Sequence, residues 1–92
     1  MSILARFSPG NTTVEQYEGV RKRLEDSGNF PPDGLRYHVA FMSGGSMKVS
    51  EVWDSREQLD AYAQELMPVL SEMGVELAGA PEICEIHTII AP

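Results

Sequence analysis

The chain has 92 residues, of which 42% are apolar, and it carries a formal net charge of −7. This length predicts one domain over residues 1–92, and the apolar content is too high for a disordered chain. The acidic charge argues against nucleic-acid binding, because an acidic surface repels phosphate backbones. The single cysteine, Cys84, rules out an internal disulfide, and no apolar run approaches the ~18 residues of a membrane span. We therefore expect a cytoplasmic protein with no membrane contact.

The first elements are predicted to be a strand followed by a capped helix. Residues 2–7 form a short apolar strand, which the turn residues of 8–11 end. Thr12 or Thr13 can cap the helix that follows, and Gly28 is a natural C-terminal stop. The apolar face of this helix is marked by residues at helical spacing, namely Val14, Tyr17, Val20 and Leu24.

A hairpin is predicted in the middle of the chain. The stiff loop of residues 31–34 leads into a second strand over residues 35–42. The glycine pair at 44–45 is typical of a hairpin turn, because such turns need positive φ angles. Residues 47–53 then form the third strand.

The last elements are predicted to be a long helix and an isoleucine-rich strand. Ser55 caps this second helix, and Pro68 inside it predicts a kink or a restart. A loop follows at 75–81, and the fourth strand spans 82–90. The apolar face of the helix comprises Leu59, Tyr62, Ala63, Leu66, Met67, Leu70 and Met73.

This order, β-α-β-β-α-β, predicts an α+β protein of the ferredoxin-like type. Its four-stranded antiparallel sheet has the strand order 4-1-3-2, and both helices lie on one face. The other face needs a cover, because too many apolar strand residues remain to hide under two helices. We count among these Ile3, Ala40, Met42, Val52, Ile83 and Ile89. A second copy placed sheet against sheet would cover them, so we expect a homodimer.

Four segments carry a resemblance to a known family: residues 34–41 (GLRYHVAF), the glycine turn at 44–45, residues 49–55 (VSEVWDS), and residues 85–87 (EIH). With these segments in place, the chain resembles the dimeric α/β-barrel superfamily over nearly its whole length. It is similar to the small stand-alone proteins related to antibiotic-biosynthesis monooxygenase domains. The resemblance implies two sheets packed face to face as a barrel, and a small-molecule pocket between each sheet and its own helices.

The resemblance implies no single function, because members of the family differ in activity. The family includes cofactor-free quinone-forming oxygenases, haem-degrading enzymes, isomerases and proteins of no known activity. Its haem-degrading members carry an asparagine in the first strand and an iron-ligating histidine on the second helix. This chain has no asparagine within residues 2–7 and no histidine on its second helix, where Tyr62 lies in the corresponding region. We therefore expect no haem and no other cofactor.

The length of the hairpin loop decides which polar residues share a face of the sheet. If residues 44–45 form a two-residue loop, His38 lies opposite Glu51 and Arg36 lies opposite Trp53. If the loop has three residues, the parity reverses and His38 moves to the other face. The three-residue loop separates apolar from polar residues better, whereas the two-residue loop is the commoner turn. The sequence therefore leaves both registers open.

The functional hypothesis is a pocket in which a histidine acts as general base. His38 or His87 takes the proton, and Glu51 raises the basicity of its partner histidine. Trp53 and Tyr62 pack against a planar substrate, and Arg36 and Met42 are further candidates for contacting it. The ligand would be a small aromatic or polyketide-like molecule, and the reaction a cofactor-free monooxygenation or an isomerisation.

The alternative is a non-catalytic dimeric module that acts as a structural, carrier or accessory protein. In this interpretation the same histidines and glutamate are satisfied polar groups at a dimer interface or barrel rim. A metal site is not expected, because His87 with Glu85 is the best ligand spacing within one element. An enclosed cavity that contains a histidine favours the enzyme, whereas a solid interior favours the structural dimer.

Overall fold

The computed structural model describes residues 2–10, 12–28, 30–77 and 79–92. Met1 and three residues of the predicted turn and loop segments, Asn11, Asn29 and Ala78, lie outside the described residues. The strands are β1 (Ile3–Phe7), β2 (Pro9–Gly10), β3 (Leu35–Ser43), β4 (Ser46–Trp53), β5 (Glu76–Leu77) and β6 (Glu82–Glu85). The helices are α1 (Val14–Asp26) and α2 (Arg56–Glu72).

The main sheet has the order β3-β4-β1-β6, and every neighbouring pair is antiparallel. This is the predicted 4-1-3-2 order of the four predicted strands, so the ferredoxin-like α+β fold is confirmed. A second, two-stranded sheet pairs β2 with β5. The sequence analysis assigned these segments to a turn and a loop, because two residues are too few to display an alternating pattern.

The fourth predicted strand is wrong in its second half. β6 ends at Glu85, which pairs with Ile3 at the start of β1. The Ile86 amide donates one further bond, of 3.2 Å, to the Ser2 carbonyl. β6 runs antiparallel to β1, so the residues after Ile86 extend past the beginning of their partner strand. They have isoleucine-rich composition but no ladder to join, and Ile90 is 87% exposed.

Side-chain caps begin both helices. Thr13, not Thr12, caps α1, and it forms a complete capping box with Gln16. Ser55 caps α2 by accepting a bond of 3.3 Å from the Gln58 amide. α2 continues through Pro68 to Glu72, so the predicted restart is wrong. Within the described ranges, neither helix is long and apolar enough to cross a bilayer.

The Ser55 cap predicts the effect of removing its hydroxyl. Ser55→Ala leaves the Gln58 amide without its acceptor, so we expect the free energy of unfolding to fall by about 1 kcal/mol. The measurement is the midpoint of urea denaturation. Ser71→Ala, the same substitution at an exposed position near the end of α2, is the control and should change the midpoint little. Equal midpoints for parent and Ser55→Ala would show that the cap contributes nothing.

The two faces of the main sheet differ in what covers them. The helices cover the face that carries Ile3, Ala5 and Trp53, and these join the core formed with Val20, Leu24, Leu59, Tyr62, Leu70 and Val75. Ile3 is therefore buried under the helices, and Ile83 packs against this core. Both were expected on the uncovered face, which is wrong: strand parity places them on the other side.

The uncovered face has its own apolar residues, which we call the open face: Leu4, Tyr37, Val39, Phe41, Val52 and Cys84. The registers place Tyr37, Val52, Leu4 and Cys84 side by side in one row across the four strands. Tyr37, Val39 and Phe41 are exposed. Of the residues first expected on the uncovered face, only Val52 belongs to it. The open face is thus an apolar band of the kind that marks an interaction surface.

Candidate active site

The hairpin has the two-residue loop, which determines the orientation of His38. Gly44 and Gly45 have φ angles of 61° and 80°, as the mirror-image hairpin turns require. The strands then pair His38 with Glu51. Since helices cover the face that carries Glu51, His38 also points toward the helices. Of the two registers left open by the sequence, this one holds.

One predicted pair within this register is wrong. Leu35, not Arg36, pairs with Trp53, and the next partner of β4 is Tyr37, so Arg36 lies at a bulge. A bulge leaves its extra residue out of the ladder and turns the side chain aside. The Arg36 side chain is exposed, and its Nε donates a bond of 2.6 Å to Asp54 Oδ1.

A chain of hydrogen bonds joins four side chains of three elements, and we call it the polar chain: Tyr17, His38, Glu51 and Trp53. The Tyr17 hydroxyl lies 2.7 Å from His38 Nε2, and His38 Nδ1 lies 2.6 Å from Glu51 Oε2. Trp53 Nε1 donates to the other carboxylate oxygen over 3.1 Å. Glu51 is only 2% exposed, yet both of its oxygens have partners, as a buried carboxylate requires.

The hydrogen-bond donors and acceptors of the polar chain determine which nitrogen of a neutral His38 ring carries the proton. A carboxylate can only accept, so Nδ1 carries a proton and donates to Glu51. Nε2 of the neutral ring then accepts from the Tyr17 hydroxyl. A carboxylate that accepts from Nδ1 fixes the tautomer and leaves Nε2 as the acceptor, which is the geometry found in general-base histidines. The Tyr17 hydroxyl therefore occupies the hydrogen-bonding position of Nε2, and Tyr17 also lines the cavity.

The imidazole is also held by two rings. Tyr17 stacks against it with ring centroids 5.9 Å apart and an interplanar angle of 24°. Phe30 approaches edge-on at 6.2 Å and 88°. The hydrogen bonds and the rings together leave His38 little rotational freedom, so the imidazole is held in one orientation.

A cavity of about 80 Å³ lies between the sheet and the two helices, next to the polar chain. A water needs about 10–15 Å³ in the same measure, so this space is several times larger than one water. Tyr17, His38, Glu51 and Tyr62 contribute to its wall. The remaining wall is mainly apolar and includes Phe7, Val20, Leu24, Val49, Leu66 and Leu70. Such a cavity suits an apolar body that carries few polar groups.

Two tyrosines of the cavity wall stay neutral over a wide pH range. Burial raises the pKa of the Tyr62 phenol, and the nearby Glu51 carboxylate raises it further. Burial also raises the pKa of Tyr17, although the Arg21 guanidinium opposes this shift. A neutral phenol can donate to His38 and accept from a ligand at the same time.

The raised pKa of Tyr62 predicts a loss of stability in alkali. The native state holds its proton above about pH 10, where an unfolded tyrosine ionises, so the free energy of unfolding falls as pH rises past that value. Tyr62 contributes at most about 1.4 kcal/mol per pH unit to this slope. In urea titrations between about pH 9.5 and 11.5, the free energy of unfolding of Tyr62→Phe should therefore fall less steeply with rising pH than that of the parent. The same dependence on pH in both proteins would contradict the raised pKa of Tyr62.

The structure brings together some of the predicted site residues and not others. His38, Glu51 and Tyr62 meet at the cavity. Trp53 is fully buried behind Glu51 and holds its carboxylate, where the sequence analysis expected a wall for the substrate. Arg36, Met42 and His87 are exposed and are not among the residues that line the cavity. His87 lies two residues beyond the end of β6, so the expectation that it sits within a strand is wrong.

Two residues of the site, Tyr17 and Thr12, were not proposed from the sequence. Tyr17 was placed on the apolar face of α1, and its hydroxyl was a signal that this face meets a polar partner. Thr12 was considered only as a helix cap. Within the described parts of the chain, no group of three or more His, Cys, Asp or Glu residues is arranged to hold a metal ion.

No family model matches the sequence, and no curated protein matches it. A conserved protein from Methanosarcina mazei Go1 is 19% identical, covers 89% of this chain and 85% of its own, and superposes with a TM-score of 0.51. A candidate antibiotic biosynthesis monooxygenase from Chloroflexus aurantiacus J-10-fl is 16% identical, with coverages of 99% and 94% and a TM-score of 0.53. Rv0793 from Mycobacterium tuberculosis is 23% identical, with coverages of 99% and 92% and a TM-score of 0.50. At these identities the likeness shows the fold of a single copy, and the ferredoxin-like α+β fold is confirmed.

Proposed function

We propose that this protein binds a small, planar, weakly acidic molecule, such as a phenol or an enolisable ketone, and removes a proton from it. The observation that carries this proposal is the polar chain, which begins at a buried carboxylate and ends at the wall of an apolar cavity. A histidine backed by a carboxylate is a general base at neutral pH. An apolar cavity suits the body of such a ligand.

Proton transfer in this arrangement passes through Tyr17. The ligand gives its proton to the Tyr17 oxygen while the Tyr17 hydroxyl gives its own proton to His38 Nε2. The products are the ligand anion, a neutral tyrosine and an imidazolium that Glu51 stabilises at 2.6 Å. The negative charge on the ligand is delocalised over its planar system, which lowers the cost of holding it in an apolar cavity.

Two reactions can begin with this step. In an isomerisation, the same relay returns the proton to a different atom of the anion. In a cofactor-free monooxygenation, the anion reacts with molecular oxygen as co-substrate. The polar chain supports the shared first step, and the choice between the two reactions depends on the ligand.

The non-catalytic alternative is less well supported. A purely structural dimer needs no cavity beside its buried histidine, whereas this protein has one lined by His38 and Glu51. A carrier would need the cavity but not a base backed by a buried carboxylate. The proton-transfer proposal uses both features.

The test uses 4-nitrophenol, whose neutral and ionised forms absorb at different wavelengths. The parent protein should bind it and shift its ionisation toward lower pH, because His38 accepts its proton and Glu51 stabilises the imidazolium that forms. Glu51→Gln should bind it with a smaller shift. Glu57→Gln, the same substitution at an exposed position in α2, is the control and should behave as the parent. Binding without any shift would favour a carrier, and no binding would reject the proposal.

We propose further that the protein is a homodimer whose two open faces pack together. The open face is an apolar band on a sheet that helices cover on one side only. A two-fold dimer would bring the same residues of both copies into contact and remove them from water. Sheet-to-sheet packing would place the cavities of both copies outside the interface.

A further inference from the structure

Thr12 has a buried hydroxyl with no partner. The residue is 4% exposed, and among the described residues its Oγ1 has no hydrogen-bond partner. A buried hydroxyl left in this state lowers stability, and native proteins contain few of them. Thr12 also lines the cavity, so its side chain lies at the wall of the space that a ligand would occupy.

Loose packing does not explain the unpartnered hydroxyl, because the backbone of Thr12 is held on both sides. Its amide donates to Ser46 Oγ over 3.2 Å, and its carbonyl accepts from the Met47 amide over 3.0 Å. Helix capping does not explain it either, because Thr13 caps α1. The backbone of Thr12 is thus held by two hydrogen bonds, while its hydroxyl bonds to none of the described residues.

We propose that the Thr12 hydroxyl is a specificity-determining group that donates a hydrogen bond to a carbonyl oxygen of the ligand. This inference rests on the proposed function, in which the acidic hydroxyl of the ligand contacts Tyr17. The cavity then offers two polar contacts in a mainly apolar wall. The ligand class they fit is an aromatic hydroxy ketone, which has one acidic hydroxyl, one carbonyl and a planar apolar body.

In this proposal, the ligand group that contacts Thr12 is uncharged. The cation that lines the cavity, Arg21, is already paired with Glu18 and Glu25, each over 2.7 Å. A carboxylate beside Thr12 would therefore be buried without a free counter-charge, which is costly. A ketone oxygen accepts the hydroxyl proton without that cost.

The binding test compares the three positional isomers of hydroxyacetophenone with the three ethylphenols. Each ketone and its ethyl analogue have similar size and the same hydroxyl, and they differ in the carbonyl. Calorimetry should show at least one ketone binding the parent about fivefold more tightly than its analogue, as one neutral hydrogen bond would give. Thr12→Val should abolish this preference, Thr12→Ser should keep most of it, and Thr88→Val in the exposed C-terminal segment should not affect it.

The stability test separates an unpartnered hydroxyl from one bonded to water. If the hydroxyl has no partner in the free protein, Thr12→Val removes an unsatisfied group at nearly constant volume. The melting temperature should then rise by about 4 °C. A lower melting temperature would show that a bound water already satisfies Thr12, and it would overturn the inference.

The outcomes distinguish this inference from the function on which it rests. Ethylphenols that bind as tightly as the ketones, with no effect of Thr12→Val, overturn the role of Thr12 and leave proton abstraction standing. Failure of every phenol to bind the parent overturns both. Loss of the ketone preference in Thr12→Val, with ethylphenol binding retained, supports both.

Discussion

His38→Gln is expected to slow proton abstraction at least about a hundredfold, the contribution typical of a positioned general base. Glutamine keeps polar atoms near Tyr17 but cannot take up the proton. The measurement is the exchange of the α-protons of 2-tetralone, an enolisable ketone fused to an aromatic ring, in heavy water by NMR. This exchange needs neither a cofactor nor knowledge of any later chemical step.

His87→Gln is the matched control for this experiment. His87 is the other histidine of the chain, and it is exposed in the segment after β6. Its replacement should leave the exchange rate as in the parent. A slower exchange rate in His87→Gln, together with the parental rate in His38→Gln, would show that the base is His87 and not His38. No exchange by the parent protein would reject proton abstraction from carbon.

Val39→Asp is expected to weaken the proposed dimer by at least about a hundredfold, because each copy would bring one carboxylate into an apolar interface and lose the packing of a valine. Val39 is 55% exposed on the open face. The measurement is sedimentation velocity over a dilution series. The parent should remain dimeric as it is diluted, and the variant should sediment as a monomer at the same concentrations.

The control for the dimer experiment is Val14→Asp. Val14 is 51% exposed, so the two positions are equally accessible in one copy, but it lies in the first turn of α1. An aspartate there interacts favourably with the helix dipole and should not affect assembly. Monomeric sedimentation of the parent would reject the dimer, and equal effects of both substitutions would show that the open face is not the interface.

These two experiments address separate parts of the molecule. The polar chain and the cavity lie on the helix-covered side of the sheet, whereas Val39 lies on the other side. A monomeric Val39→Asp that still exchanges 2-tetralone protons would show that one copy holds a complete site. Loss of exchange on dissociation would instead show that dimerisation supports the cavity.

Much of the fold could be predicted from local patterns. The caps at Thr13 and Ser55, the apolar spacing of both helices and the glycine pair at 44–45 each act over a few residues. The order of the elements then leaves few ways to arrange them, so the ferredoxin-like topology followed. The predictions that failed concerned features without a local signal, such as the two-residue strands β2 and β5 and the early end of β6.

The site was only partly predictable for the same reason. The pairing of His38 with Glu51 depended on one residue of loop length, and the sequence allowed either register. The bulge that removes Arg36 from the site has no signature in the residues around it. Trp53 was expected to contact the substrate, and its hydrogen bond to Glu51 could not be foreseen because it depends on where strand parity places both side chains.

The sequence by itself determined the two helices, the four strands of the main sheet, their order and the apolar faces of the helices, because helix and strand periods are properties of neighbouring residues. Only the tertiary structure decided that Tyr17, on a helix, meets His38, on a strand, 21 positions later. It also decided that Thr12 lines the same cavity as both. A contact between elements depends on register, parity and packing angle together, and no single stretch of the chain encodes all three.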